Sequence, residues 1–262
     1  MDLQLNGKIA LVTAASKGLG KAAARQLAME GATVVICARS DLLQETAIEI
    51  KQETGSEVLA IRADMTRQED IDHLVQHTLD RFGRIDILII NAGGPPPGNF
   101  LDLEPDDWSK AAELTLMSAV RLCYAVVPPM VEAGSGSIVA IESVSVKQPI
   151  DNLILSNSLR MAVIGMLKSM GNELGPKGIR INSINPTFTW TERVEQLLAD
   201  RAACNNSTVE EEAAKVATRI PLGRMGLAEE FGRAVAWLAS PAASFIHGHA
   251  LMFDGGMTRT PL

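Results

Sequence analysis

Seven short apolar runs, each followed by a segment with helical character, constrain this chain more than any other feature. The runs are KIALVTA, TVVICA, EVLAIRA, IDILIINA, GSIVAIES, IRINSINP and HALMFDGG. They are rich in Val and Ile and continuously apolar. That is the pattern of strands buried on both faces of a parallel sheet. Helical stretches are expected near Gly18–Gly31, Asp41–Glu53, Gln68–Phe82, Pro105–Ala133, Asn152 onward and Ala228–Leu238, with an irregular, mostly helical segment from Trp190 to Arg219. Strict alternation of strand and helix calls for right-handed crossovers and helices on both faces. The expected fold is therefore α/β: a Rossmann-like, three-layer doubly wound arrangement around a parallel seven-stranded sheet. No linker, repeat or low-complexity segment divides the 262 residues, so residues 1–262 read as one domain.

Composition narrows the function classes. A net charge of −7 without a basic block argues against nucleic acid or an anionic membrane as partner. No apolar run is read as long enough to span a bilayer, and MDLQLNGKIALVT has no basic-then-apolar leader pattern. Cys37, Cys123 and Cys204 are odd in number, widely spaced and free of any CxxC. They read as thiols of a reducing, cytoplasmic setting. The four histidines form no ligand cluster in sequence, and no metal is expected.

In sheets of this kind, ligands bind beyond the carboxyl ends of the strands, where the strand order reverses. The first strand runs into TAASKGLGKAAARQLA, in which Gly18 and Gly20 open a helix directly after a strand. That order suits the approach of a pyrophosphate to backbone N–H groups at a helix start. An ordinary βα turn is the competing reading. The second strand ends ICARS, without a carboxylate for ribose hydroxyls. Lys17 and Arg39 instead offer two cations, which suits the 2′-phosphate of NADP(H) over NAD(H), with NAD(H) still possible. Two solvated surface cations are the alternative.

Almost end to end, the chain resembles the short-chain dehydrogenase/reductase family. The first-turn pattern TGxxxGxG is matched by Thr13-Ala14-Ala15-Ser16-Lys17-Gly18-Leu19-Gly20, with Ala14 in place of the first glycine. RADMT supplies Asp64 and Met65, NAG is Asn91-Ala92-Gly93, and INSINPTFTWT resembles NxxxPGxxxT through Pro186, Thr189 and Thr191, with Thr187 for the glycine. PLGRMGLAEEFGRAVAWLAS and LMFDGGMT match the family's C-terminal part. The resemblance implies a nicotinamide cofactor held by these residues, a small-molecule carbonyl or alcohol substrate, and a homotetramer or homodimer built through the Thr115 and Arg160 helices.

It also implies a catalytic set of Asn, Ser and Tyr-x-x-x-Lys. Here Ser143 matches the Ser. The usual spacing places Ser156 and Arg160 at the Tyr and Lys positions and Thr115 at the helix Asn. The chain thus resembles an atypical, acyl-carrier-protein-reductase-like subgroup with an altered nucleotide motif and an incomplete tetrad. Its single Tyr, Tyr124, lies inside the long helix and reads as packing or interface. Serine is a poor proton source and Arg stays protonated. Arg160 is expected to hydrogen-bond the cofactor ribose or grip a substrate carboxylate, in preference to pairing structurally with Glu142 or Asp151. Lys147 reads as an exposed loop lysine, Glu142 as a structural ion-pair member, and the Gly93–Gly98 GGPPPG loop as a stiff pocket wall or simple turn punctuation. The expected activity is that of an NADP(H)-dependent oxidoreductase with unusual acid chemistry. A cofactor-binding scaffold or sensor, and a lyase or isomerase acting on an anionic substrate, are the alternatives.

Overall fold

The computed structural model describes residues 1–260. Among them, β1 (Ile9–Val12), β2 (Thr33–Ala38), β3 (Val58–Arg62), β4 (Ile87–Ile90), β5 (Gly136–Ile141), β6 (Ile179–Pro186) and β7 (Ala250–Phe253) form one sheet in the order β3-β2-β1-β4-β5-β6-β7. Every pairing is parallel. Each crossover needs a covering segment, and the first ones are α1 (Gly18–Met29), α2 (Leu43–Thr54) and α3 (Gln68–Phe82). Winding runs outward from β1 to β3, then restarts at β4 on the other side of β1. The crevice expected at such a reversal lies between the ends of β1 and β4.

Side chains alternate across a strand, so each run feeds two cores. Ala10, Val12, Val34, Ile36, Ile87 and Ile89 face one side with Ala23, Ala24 and Leu27 of α1 and Phe231, Val235 and Ala236 of α9 (Ala228–Ala239). Leu11, Val35, Leu88, Ile90, Ile138 and Ala140 face the other. There they meet Ile71 and Leu74 of α3, Leu122 and Val126 of the long helix, and Val163 and Leu167 of the helix after β5. Ala23 and Ala24 matter because small side chains let α1 lie close on the sheet.

The Pro105–Ala133 stretch is not uniform. It comprises α4 (Pro105–Ala112), a π-helical turn at Glu113–Met117 and α5 (Ser118–Glu132). Its best 18-residue window reaches a mean hydropathy of 1.5, so by length and composition it could cross a bilayer. This corrects the reading that no run is long enough. In this fold its apolar side is a layer of the domain core, with Leu122, Cys123, Val126 and Met130 buried. Helix α6 (Ile154–Leu174) carries Ser156 and Arg160. The irregular segment resolves into α7 (Glu192–Asn205) and α8 (Val209–Ala217), which close over a small core of Leu198, Val216, Ile220 and Met225.

Candidate active site

A cleft of about 590 Å³ opens at the carboxyl ends of the strands. Its floor begins with the turn after β1. Ala14 has φ +48°, the left-handed region in which the family pattern places glycine. Asn91, beyond β4, fixes this turn: its side-chain N–H donates to the Ala14 carbonyl at 3.1 Å. Thr13 Oγ1 accepts the Asn91 backbone N–H at 2.8 Å and donates to the Asn91 carbonyl at 2.7 Å. Thr13 is fully buried and acts as the clasp between the two turns. Gly20 is equally constrained. A Cβ there would sit 2.4 Å from the Ala14 carbonyl oxygen and 2.7 Å from Asn91 Nδ2, so only glycine lets α1 start this close.

Helix α1 begins without a side-chain cap at Lys17. Its first N–H groups therefore lack a side-chain acceptor, the arrangement that receives an anionic oxygen at a helix start. Ser16, Lys17, Gly18 and Leu19 line this end, with Ala38, Arg39 and Ser40 after β2 and Asp64 and Met65 after β3. Lys17 and Arg39 are exposed, and Lys17 has no ion-pair partner among the described residues. Arg39 reaches Asp64 loosely, at 3.5 Å. Partial burial pushes the Asp64 carboxyl up, but the Thr66 N–H and O–H and the Arg39 guanidinium outweigh it and hold the group below the ordinary carboxylate range.

The far end is built from Asn91–Gly94, Leu114, Ile141, Glu142, Arg160 and Thr187, with Thr189, Thr191, Glu192 and Arg193 leaning over from the segment after β6. Thr191 caps α7 by accepting the Val194 N–H. It sits 3.7 Å from where a Cβ on Gly18 would lie, so the start of α7 lies over the first turn. Arg193 lies against Gly94: a Cβ there would be 3.1 Å from its Nη2. Among the described residues Arg193 has no carboxylate partner. The sequence reading missed it, because nothing in FTWTERVEQ marks a side chain that crosses to another loop.

The residues at the tetrad positions are close together but unlike a tetrad. Arg160 is buried. Its Nε donates to Ser156 Oγ at 3.2 Å, and its Nη1 donates to the Ile141 carbonyl at 3.3 Å and to Glu142 Oε2 at 3.0 Å. Glu142 is thus the partner of Arg160, the pairing that the sequence reading ranked below a cofactor or substrate contact. Burial pushes the Glu142 carboxyl up to about 7, against the pull of Arg160. Glu142 and Arg160 line the cleft; Ser143 and Ser156 do not. Ser143 is half-buried and accepts the Ser145 N–H at 3.1 Å, which caps a short turn. Thr115 lies in the π-helical turn, buried, with Oγ1 unpartnered. Pro186 ends β6 beneath the cleft. Lys147 is exposed. The GGPPPG loop is tied at Gly98 to the α6 entry, through Gly98 N–H to the Asn152 carbonyl at 2.8 Å.

Comparison with known proteins decides the family. Residues 13–258 match the family model described as Enoyl-(Acyl carrier protein) reductase. A 3-oxoacyl-[acyl-carrier-protein] reductase of Synechocystis sp. is 32% identical over 97% of this chain and 98% of its own. The chain belongs to the short-chain dehydrogenase/reductase family. Another member of the family, the 7alpha-hydroxysteroid dehydrogenase of Escherichia coli, is 31% identical over 97% of this chain and 96% of its own. The L-sorbose reductase of Gluconobacter frateurii, solved with NADPH and L-sorbose, superposes with a TM-score of 0.96 at 32% identity, covering 99% of this chain and all of that one. These relatives share the whole length of the short-chain dehydrogenase/reductase domain described here, and a nicotinamide cofactor fits the uncapped α1 start and the Gly20 cradle.

Proposed function

We propose that this short-chain dehydrogenase/reductase is an NADP(H)-dependent oxidoreductase that interconverts a carbonyl and an alcohol on a small molecule. The observation that carries the reading is the pair of exposed cations, Lys17 and Arg39, on the lining of the cleft beside an uncapped helix start. Cations there favour a 2′-phosphate, and a loose exposed pair such as Arg39–Asp64 costs little to open. The L-sorbose reductase binds NADPH, whereas the steroid dehydrogenase was solved with NADH, so the cations support the choice between them. Bound in the cleft, the nicotinamide would supply or accept the hydride.

The chain's own residues do the rest. Ser16, Gly18 and Leu19 present the diphosphate end of the site, Asp64 and Met65 the adenine end, and Asn91–Gly93, Thr189 and Thr191 the nicotinamide end. Arg160 supplies a fixed positive charge beside the reacting groups. Arg193 stands opposite as a second cation, suited to a phosphate or a substrate carboxylate. The altered first turn, with Ala14 at φ +48°, and the Ser156–Arg160 pair support the reading of an atypical subgroup of the family. The exposed side chains of Tyr124 on α5 and Met161 on α6, 80% and 47% accessible, support packing of these helices on a second copy as a dimer or tetramer. Three free cysteines suit a reducing compartment such as the cytoplasm.

The test is NADPH titration followed by turnover. Tight NADPH binding with oxidation in the presence of a ketose, a β-ketoester or a cyclic dione supports the reading. Tight binding with no turnover across such a panel shows a binding protein, and product without net NADPH oxidation shows a lyase or isomerase.

A further inference from the structure

The cleft holds seven charged side chains, and their positions leave one candidate for proton transfer. Lys17, Arg39 and Asp64 stand at the ends of β1, β2 and β3, the adenosine side. Glu192 lies over the first turn, 4.0 Å from where a Cβ on Gly18 would be. Arg160 and Arg193 are guanidinium groups, which do not give up protons near neutral pH. Glu142 remains. Among the described residues it is the only carboxyl on the cleft lining at the β4–β5–α6 end, where the carbonyl would react. Lys147, Tyr124, His247 and Ser156 are off the lining. Tyr124 is 80% accessible on the outer side of α5. His247 is engaged with the Ile181 N–H and the Gly171 carbonyl. Ser156 already accepts the Arg160 Nε–H and is off the lining.

We propose that Glu142 is the proton donor of the reductive reaction and the acceptor of the oxidative one, with Arg160 as the positioning residue that carries its charge. The proposal rests on the oxidoreductase reading above. As the carbonyl carbon receives the hydride, the Glu142 O–H bond breaks and the proton bonds to the substrate oxygen. The electron pair of the broken bond stays on the carboxylate, which then regains a proton from water through the open cleft. Arg160 Nη1, 3.0 Å from Oε2, stabilises that carboxylate, while the other oxygen makes no hydrogen bond among the described residues. In the oxidative direction the same carboxylate takes the alcohol proton.

The charge balance suits the task. Burial raises the carboxyl to about 7, so both forms are populated near neutral pH, the condition a general acid–base needs. The charged groups on surrounding elements are Arg160 on α6, Glu192 and Arg193 at the start of α7, and exposed Lys147 beyond the turn after β5. Of these, Arg160 is the one that pulls the carboxyl down. The pairing also accounts for the company Arg160 keeps: a buried guanidinium without an acid would be a costly uncompensated charge.

The experiment compares the wild type with Glu142→Gln and Glu142→Asp. Reduction of L-sorbose, ethyl acetoacetate and a cyclic dione by NADPH is followed from pH 5.5 to 9, with NADPH affinity measured by nicotinamide fluorescence. Protein labelled with ¹³C-carboxyl glutamate is titrated in parallel by difference infrared spectroscopy. Expected is a reductive kcat that falls above about pH 7 in the wild type. In Glu142→Gln it should be lower by about 10²-fold or more, without that limb and with NADPH affinity unchanged. Glu142→Asp should restore part of the rate and the limb. The infrared spectrum should show one carboxyl titrating near neutrality that the Gln variant lacks. A Glu142→Gln enzyme with wild-type kcat and pH profile, or no such carboxyl, overturns the proposal while leaving the oxidoreductase reading intact. Absence of NADPH oxidation by the wild type across the panel removes both.

Discussion

Asn91 ties the loop after β4 to the turn after β1 by donating its side-chain N–H to the Ala14 carbonyl at 3.1 Å, and Ala14 is held at φ +48°. A Cβ in the left-handed region costs about 1–2 kcal/mol. Glycine would remove that strain but loses more backbone freedom on folding, by about 0.5–1 kcal/mol. Ala14→Gly should therefore stabilise the chain slightly, raising Tm by roughly 1–4 °C, with NADPH affinity unchanged or modestly better. Calorimetric melting with and without NADPH checks it; a lower Tm would mean that the turn is not strained as described.

Gly20 answers to the same two residues from the other side. Its hypothetical Cβ would be 2.4 Å from a backbone oxygen, which cannot swing aside as a flexible side chain could. Gly20→Ala should push α1 away from the Asn91 loop, lower Tm and weaken NADPH binding by about tenfold or more. Fluorescence titration reads the loss. Wild-type affinity in Gly20→Ala would show that the cofactor does not depend on this approach.

On the proposed reading, Arg39 and Lys17 favour NADPH over NADH. Charge-assisted hydrogen bonds are worth about 1.5–3 kcal/mol, so Arg39→Asp should weaken NADPH by about 10–100-fold. NADH should hold or gain affinity, because a carboxylate at this place can accept from ribose hydroxyls. Calorimetric titration of both cofactors against both proteins measures the reversal. Equal affinity of the wild type for NADH and NADPH would defeat the assignment.

The fold was readable because buried parallel strands are continuously apolar, and each of the seven runs became a strand. One end of the cleft was readable because its residues sit at strand ends in sequence order: Lys17, Arg39, Asp64 and Asn91 line it. What escaped was set by contacts distant in sequence. The π-helical turn at Glu113–Met117 leaves no mark in a helical pattern. Arg193 crosses from α7 to Gly94. Glu142 and Arg160 are 18 positions apart on a strand end and a helix, so their pairing is decided by how α6 lies against β5. Ser143 and Ser156 were legible as positions, but not as groups turned from the cleft lining.

The Glu142 carboxyl also makes stability depend on pH. Its folded value, about 7, lies above the ordinary value of an unfolded glutamate. Between the two, the folded state binds the extra proton. The favourable contribution is complete below about pH 4.3 and is lost as pH rises through about 7. Relative to Glu142→Gln, the wild type should lose stability on the order of 1–3 kcal/mol over that window. Urea unfolding of both proteins at pH 4.5, 6 and 8 checks the sign. A difference that grows with pH in favour of the wild type would contradict the raised carboxyl.

The opening left by Ser156, Arg160 and Thr115 can be tested by filling it. Ser156 is buried one helical turn from Arg160, and their side chains already touch at 3.2 Å. A tyrosine at this place is longer and should reach the cleft lining that serine does not, while Arg160→Lys keeps a cation for Glu142. Thr115→Asn gives the unpartnered position in the π-helical turn a side chain that can bond. Ser156→Tyr/Arg160→Lys/Thr115→Asn should raise kcat for a cyclic dione by about 10–10³-fold, with KM changed little, because an acid acts chiefly in the transition state. The gain should also survive addition of Glu142→Gln, since the phenol would then supply the proton, whereas the single Glu142→Gln change should cripple the parent. Loss of rate on adding Glu142→Gln to the triple variant would mean that the carboxyl still supplies the proton. No gain in the triple variant, with NADPH affinity retained, would mean that the substrate oxygen lies out of reach of position 156, and that reduction in this chain is organised around the β5–α6 ion pair.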